Sequence, residues 1–168
     1  MKGVVINILC LLILISCNAQ DGGEAVSNKC LEIKIPPNWQ VDAFDKSSEK
    51  FLLVISEKER EIDRMARMEI FKIEANENEE LEVAFDRLTS WNVAVDSVFE
   101  KSTISTNNLG VGFCVLGHVF FQPNRVIKAY YFSDRDSIII IYSEYPVEES
   151  LRQEQICDNI IKTLVSKC

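Results

Sequence analysis

Four consecutive isoleucines, Ile138 to Ile141, stand between Ser137 and Tyr142. β-branched side chains are stiff at χ1 and favour extended backbone. Neighbours in a strand point to opposite faces of the sheet, so this strand is apolar on both. Each isoleucine left in water would forgo about 1.5–3 kcal/mol of burial. The run therefore calls for a central strand covered on both faces, and so for a layered fold.

The segments around it supply neighbours. Val111 to Phe121, Arg125 to Phe132 and Ser137 to Ser143 are apolar stretches separated by Gln122-Pro123-Asn124 and by Ser133-Asp134-Arg135-Asp136. Such short polar loops predict antiparallel pairing. Upstream, Leu31, Ile33 and Ile35 alternate with Glu32 and Lys34 until Pro36-Pro37-Asn38 stops the strand. Phe51 to Ile55 and Ala66 to Ile73 read as two further strands, and residues 92–105 alternate more loosely. The charges between Glu57 and Arg64 nearly cancel, which suits a solvated connection.

Two segments carry helical spacing. Leu81, Ala84, Phe85, Leu88 and Trp91 form one apolar stripe, with Asn78 placed to cap it and Glu79 and Glu80 at the positive end of its dipole. From Val147 to Val165, Leu151, Ile156, Ile160, Ile161 and Leu164 share a side, with Glu148 and Glu149 at the start and Lys162 and Lys167 near the end. Together these elements predict an α+β fold, a layered α/β sandwich with a mainly antiparallel sheet of six or seven strands and two main helices.

The N-terminus concerns address rather than fold. Lys2 precedes an apolar run from Val4 to Ile15, interrupted only by Asn7. About a dozen residues fall short of the ~20 needed to span a bilayer, so the run reads as an export signal. Leu14-Ile15-Ser16-Cys17 resembles the bacterial lipobox, in which the cysteine is lipidated and becomes the first residue after cleavage. Cys17-Asn18-Ala19 also fits an ordinary small-x-Ala cleavage site, which would release Gln20; the lipobox is the fuller match. On that reading residues 1–16 are the signal peptide, 17–29 a lipidated cysteine (a palmitate-type anchor) with a small, polar tether, and 30–168 a single domain. The protein would then meet a membrane through its lipid, in the bacterial cell envelope, on the periplasmic or the surface side. The chain's net charge is −8, and losing Lys2 takes it to −9. That balance disfavours nucleic acid and anionic lipid surfaces as ligands.

Cys30, Cys114, Cys157 and Cys168 remain beside Cys17, and in an exported chain they permit disulfides between different elements. On one helix Cys157 and Cys168 would sit about 16 Å apart, too far to bridge. Cys114 and Cys157 read equally well as small buried hydrophobes.

An exported chain whose domain begins with a strand and then Pro36-Pro37-Asn38-Trp39, followed by a hairpin, a mid-chain amphipathic helix, a meander and a long terminal helix, resembles the PsbP-like and DcrB-like superfamily of small bacterial envelope proteins. The resemblance spans roughly residues 30–166 and implies a noncatalytic accessory or binding protein. It carries no binding residue onto this sequence.

The residues themselves offer little chemistry. His118 is the one histidine, without a Gly-x-Ser-x-Gly or HExxH element. In a strand it would lie about 13 Å from Cys114, beyond the reach of a nucleophile–base pair. Gly110-Val111-Gly112 lacks the residues of a phosphate loop, Asp134-Arg135-Asp136 lacks the later ligands of a calcium loop, and Glu77, Glu79, Glu80 and Glu82 suit a solvated helix start. No cofactor and no metal site is expected. Aromatic residues crowd the meander, and a surplus on one face would let Trp39, Arg125, Tyr130 and Phe132 line an apolar groove for a peptide or lipid. The expected function is a noncatalytic envelope lipoprotein that binds or supports another envelope protein. Two alternatives are an immunity-type inhibitor of a secreted toxin and a hydrolase built from carboxylates around His118.

Overall fold

The structure is a computed structural model that describes residues 23–45, 53–58, 60–62, 64–76, 79–84, 95–119 and 122–167, with backbone alone at 95–99 and 118–119. Its strands are β1 (Glu24–Ser27), β2 (Leu31–Ile35), β3 (Trp39–Phe44), β4 (Leu53–Glu57), β5 (Arg67–Glu74), β6 (Val95–Thr106), β7 (Gly110–Val119), β8 (Gln122–Asp134), β9 (Ser137–Pro146) and β10 (Val165–Ser166). A 3₁₀ turn at Val147–Glu149 leads into helix α1 (Ser150–Lys162).

Seven strands form one antiparallel sheet in the order β3-β4-β5-β9-β8-β7-β6, and β1-β2-β10 form a small second sheet. The isoleucine strand is β9, at the centre between β5 and β8. Ile138 to Ile141 are 2%, 0%, 1% and 0% exposed, so both faces of the strand are covered as the sequence requires. Ile139 and Ile141 join a core with Met68, Ile70, Tyr130 and Phe132, closed by Cys157, Ile160 and Ile161 of α1 and by Leu31, Ile33 and Ile35 of β2. Ile138 and Ile140 face the other way, into a cluster with Val115, Ala129, Tyr131 and Ala84, against which Leu81 packs. Residues 81–84 are helical, as the mid-chain stripe predicts; Phe85, Leu88 and Trp91 lie outside the described residues.

Two features depart from the periodicity. The strand at Leu31–Ile35 forms, but it pairs in the small sheet with β1 and β10 and packs on the face of the main sheet that carries α1. The terminal helix is shorter than the apolar pattern suggests. Thr163 stops it, its hydroxyl donating back to the Ile160 carbonyl at 2.7 Å, after which the chain turns into β10. Leu151, expected on the buried side, is 84% exposed. The buried face of α1 is Gln153, Cys157, Ile160 and Ile161, and Leu151 lies two residues before Gln153, about 160° around the helix.

Cys30 is disulfide-bonded, whereas Cys114 and Cys157 are free and buried. The bridge's other half therefore lies outside the described residues. Close by, the Lys167 amide donates to the Cys30 carbonyl at 2.7 Å, and the Lys167 ammonium meets Glu32 at 2.5 Å. The two ends of the domain are thus laid side by side.

Gly112 shows how tightly β7 and β8 approach. A Cβ there would stand 2.4 Å from the Tyr131 carbonyl oxygen and 2.6 Å from Phe132 Cδ1. Gly112→Ala is expected to cost about 1–3 kcal/mol through overpacking, read as a lowered thermal midpoint. Ser105→Ala, on the exposed edge strand β6, should stay within about 0.5 kcal/mol of the parent.

Candidate functional site

A broad concavity opens at one end of the main sheet. It has a volume of about 1050 Å³ and is lined from the β4–β5 connection (Ile62, Arg64, Met65), the start of β5 (Arg67), the start of β8 (Gln122 to Arg125) and the end of β9 with the following turn (Glu144, Pro146, Val147, Glu148). Strand register explains why these distant residues meet. Arg67 lies opposite Glu144, and Arg125 opposite Pro146, so β5, β9 and β8 all present one end to the cleft.

Arg125 is its fixed point. The side chain is 11% exposed; its Nε donates to Glu144 Oε1 and its Nη2 donates to the Met65 carbonyl at 2.8 Å. The guanidinium thereby joins β8, β9 and the β4–β5 connection. That connection is latched a second time by Arg60, whose Nη1 donates to the two carboxylate oxygens of Glu149 at 2.6 and 2.7 Å and to the Arg64 carbonyl at 3.2 Å. The Arg60 hydrogen bond holds the Glu149 carboxyl below its ordinary value of 4.5, and Gln153 adds to the effect. Glu149 in turn keeps Arg60 firmly protonated. Arg152 also reaches Glu149, at 3.2 Å. Beneath this network the buried carboxylate of Glu57 accepts from the Ala66 amide at 3.2 Å.

A second polar cluster ties α1 to the sheet. Lys128 lies 3.4 Å from both Glu154 and Asp158, and the Tyr130 hydroxyl donates to Asp158 at 2.5 Å. The hollow between Glu100, Ser102, Cys114, Leu116, Lys128 and Glu154 measures about 60 Å³. That is room for about two waters. Burial pushes the Cys114 thiol up to about 12, so it is held as the unreactive thiol. Burial likewise pushes the Cys157 thiol up to about 12 and raises Tyr130. This cluster is built for holding a helix in place, not for nucleophilic chemistry.

The four groove residues proposed from sequence are not brought together. Trp39, Tyr130 and Phe132 are 2%, 0% and 0% exposed and belong to the core under α1, while Arg125 lines the cleft. His118 lies in β7 opposite Ser97 and Val126, and its side chain falls outside the description. Of the carboxylates near the mid-chain helix, Glu79 accepts from the Asn76 amide at 3.0 Å and Glu82 meets Lys101 at 3.6 Å; Glu77 lies outside the described residues. Asp134 accepts from Lys72 at 2.7 Å and from Ser166 at 2.8 Å, beside a turn in which Arg135 takes φ 54°. Among the described residues no three His, Cys, Asp or Glu side chains are grouped to hold a metal ion. Sequence reasoning missed Ile62, Arg64, Arg67 and Glu144. Their one signal was an isoleucine set among charges in Glu61-Ile62-Asp63-Arg64, a stretch whose balanced charge reads as solvated.

No known family and no curated protein matches the chain in sequence. Solved structures do match in shape. The solution structure of the cyanobacterial PsbP protein CyanoP from Synechocystis aligns with a TM-score of 0.62 at 12% identity, over 89% of this chain and 95% of that one. LpqN of Mycobacterium tuberculosis, described as involved in cell envelope biogenesis, aligns at 0.58 and 10% identity over 87% and 86%. PA94 of Pseudomonas aeruginosa, a protein of unknown function and putative regulator, aligns at 0.56 and 12% identity over 80% and 90%. At such identities the likeness is one of fold, and in fold this α+β chain is similar to CyanoP and LpqN along nearly its whole described length.

Proposed function

We propose that this chain is an exported, lipid-anchored protein of the bacterial cell envelope whose α/β domain is a noncatalytic binding module. The observation that carries the reading is the cleft: among the described residues its ionisable side chains are Arg64, Arg67, Arg125, Glu144 and Glu148. Guanidinium groups stay protonated at every physiological pH and present a planar fork of donors, which suits them to hold a partner's anionic group instead of shuttling protons. The lipobox at Cys17 and the fold shared with LpqN support the envelope address.

The address is tested by growing cells with a clickable fatty acid. The protein is expected to carry the label, and Cys17→Ser to lose it; a labelled serine variant would exclude Cys17 as the anchor. The noncatalytic role is tested by esterase, peptidase, phosphatase and glycosidase screens with and without divalent metal. Turnover that copurifies with the protein and disappears on replacing His118 would establish an enzyme in its place.

A further inference from the structure

We infer that the cleft docks an extended acidic peptide of a partner protein, one carboxylate being held by Arg64 and Arg67 while a neighbouring apolar side chain rests on Ile62 and Val147. The inference rests on the binding-module reading and names what the module takes.

The distribution of charge comes first. The sequence contains seven arginines in a chain of net charge −8. Among the described residues three of them line this cleft, and no lysine does. The three are committed to different degrees. Arg125 is locked to Glu144 and to the Met65 carbonyl, so it shapes the floor. Arg67 meets Glu69 at 2.8 Å, but its side chain is 46% exposed. Arg64 is exposed, and its guanidinium has no ion pair among the described residues. The cleft lining thus carries one uncommitted guanidinium, Arg64, and a half-exposed one, Arg67, that Glu69 engages through Nη2 alone; a guanidinium fork receives a carboxylate in bidentate fashion.

The apolar part comes second. Ile62 is 82% exposed and Val147 41%, in a lining that also includes Met65, Pro123 and Pro146. Gln122 and Asn124, both exposed, also line the cleft, and their side-chain amides offer donors and acceptors to a peptide backbone. An acyl chain would leave those amides unpaired as they lost water, which favours a peptide over a lipid tail. Glu148 on the lining opposes a densely anionic surface, so an isolated acidic residue between apolar neighbours fits better than a phosphate-rich membrane. The Arg60–Glu149 latch holds the Ile62–Met65 wall in place before any ligand arrives, which lowers the ordering cost of binding.

The test uses the full chain and a fluorescein-labelled, end-capped peptide Ser-Leu-Glu-Leu-Ser-Leu, with the same peptide carrying glutamine in place of glutamate. Anisotropy should rise saturably with the glutamate peptide, and the glutamine peptide should bind about tenfold more weakly. Arg64→Gln and Arg67→Gln should each weaken the glutamate peptide about fivefold or more, and Ile62→Ser should weaken both peptides. All three side chains are exposed, so their melting curves should match the parent's. Arg135→Gln, at the β8–β9 hairpin tip, should bind as the parent does. Equal binding of the two peptides, or an Arg64→Gln/Arg67→Gln double variant that binds like the parent, overturns the inference. So does tighter binding to phosphatidylglycerol vesicles than to the peptide, which would make the cleft a membrane contact. A partner cross-linked to the tethered protein in cells while the peptide fails to bind would move the docking site elsewhere and leave the binding-module reading standing.

Discussion

Ile140→Asp is expected to abolish cooperative thermal unfolding. Ile140 is 1% exposed, lies opposite Phe71 on β5 and Tyr131 on β8, and packs in the cluster beneath residues 81–84. Truncating a buried isoleucine costs about 2–5 kcal/mol from lost burial and the cavity left behind. An unpaired carboxylate placed there adds several kcal/mol of desolvation or forces protonation. A domain of this size has only about 5–15 kcal/mol to lose. Circular dichroism should therefore show no sharp transition, whereas Ile140→Val should lose only about 0.5–1.5 kcal/mol and keep one. A cooperative melt near the parent's midpoint for the aspartate variant would mean that β9 does not carry the core.

Arg125→Met should cost about 2–3 kcal/mol, somewhat less than the 3–5 kcal/mol typical of breaking a fully buried pair, because Glu144 is 31% exposed. The substitution leaves the Glu144 carboxylate without its Nε donor and the Met65 carbonyl without its Nη2 donor. Most of the loss is the cost of the abandoned acceptors, not of the ion pair itself. The double variant Arg125→Met/Glu144→Gln should therefore recover about half of it, a coupling that a double-mutant cycle measures directly. A single variant as stable as the parent, or a double variant no better than the single, would show that Arg125 is not what binds β8 to β9 and to the β4–β5 connection.

The proposed function rests on the same construction. A rigid sheet end carries the cleft, the Arg60–Glu149 latch fixes one wall, and the free thiols are buried where they cannot react. Such a surface suits the binding role proposed above.

The sequence by itself determined the elements whose cause is local. Four β-branched residues in a row have no stable home except a strand covered on both faces, and that is β9. Short separations between apolar stretches leave little choice but antiparallel neighbours, and β7, β8 and β9 pair accordingly, although Gln122-Pro123-Asn124, expected as a loop, opens strand β8. Helical spacing located α1 but misplaced Leu151, which the regular turn of the helix carries about 160° away from Gln153 and out to solvent. Only the tertiary structure decided which strand lies beside which. Alternation reports that one face is buried but not against what, so nothing in Leu31–Ile35 told of its pairing with β10 in a separate sheet, nor in Arg67–Glu74 of its place beside β9. The cleft is of the same kind. Arg64, Arg67, Arg125 and Glu144 are far apart in the chain and ordinary in their own segments, and they become a site because register brings three strand ends together. Trp39, Tyr130 and Phe132 went the other way: their aromatic bulk suggested a groove, but bulk is also what fills the space between a helix and a sheet, and the core under α1 claimed them.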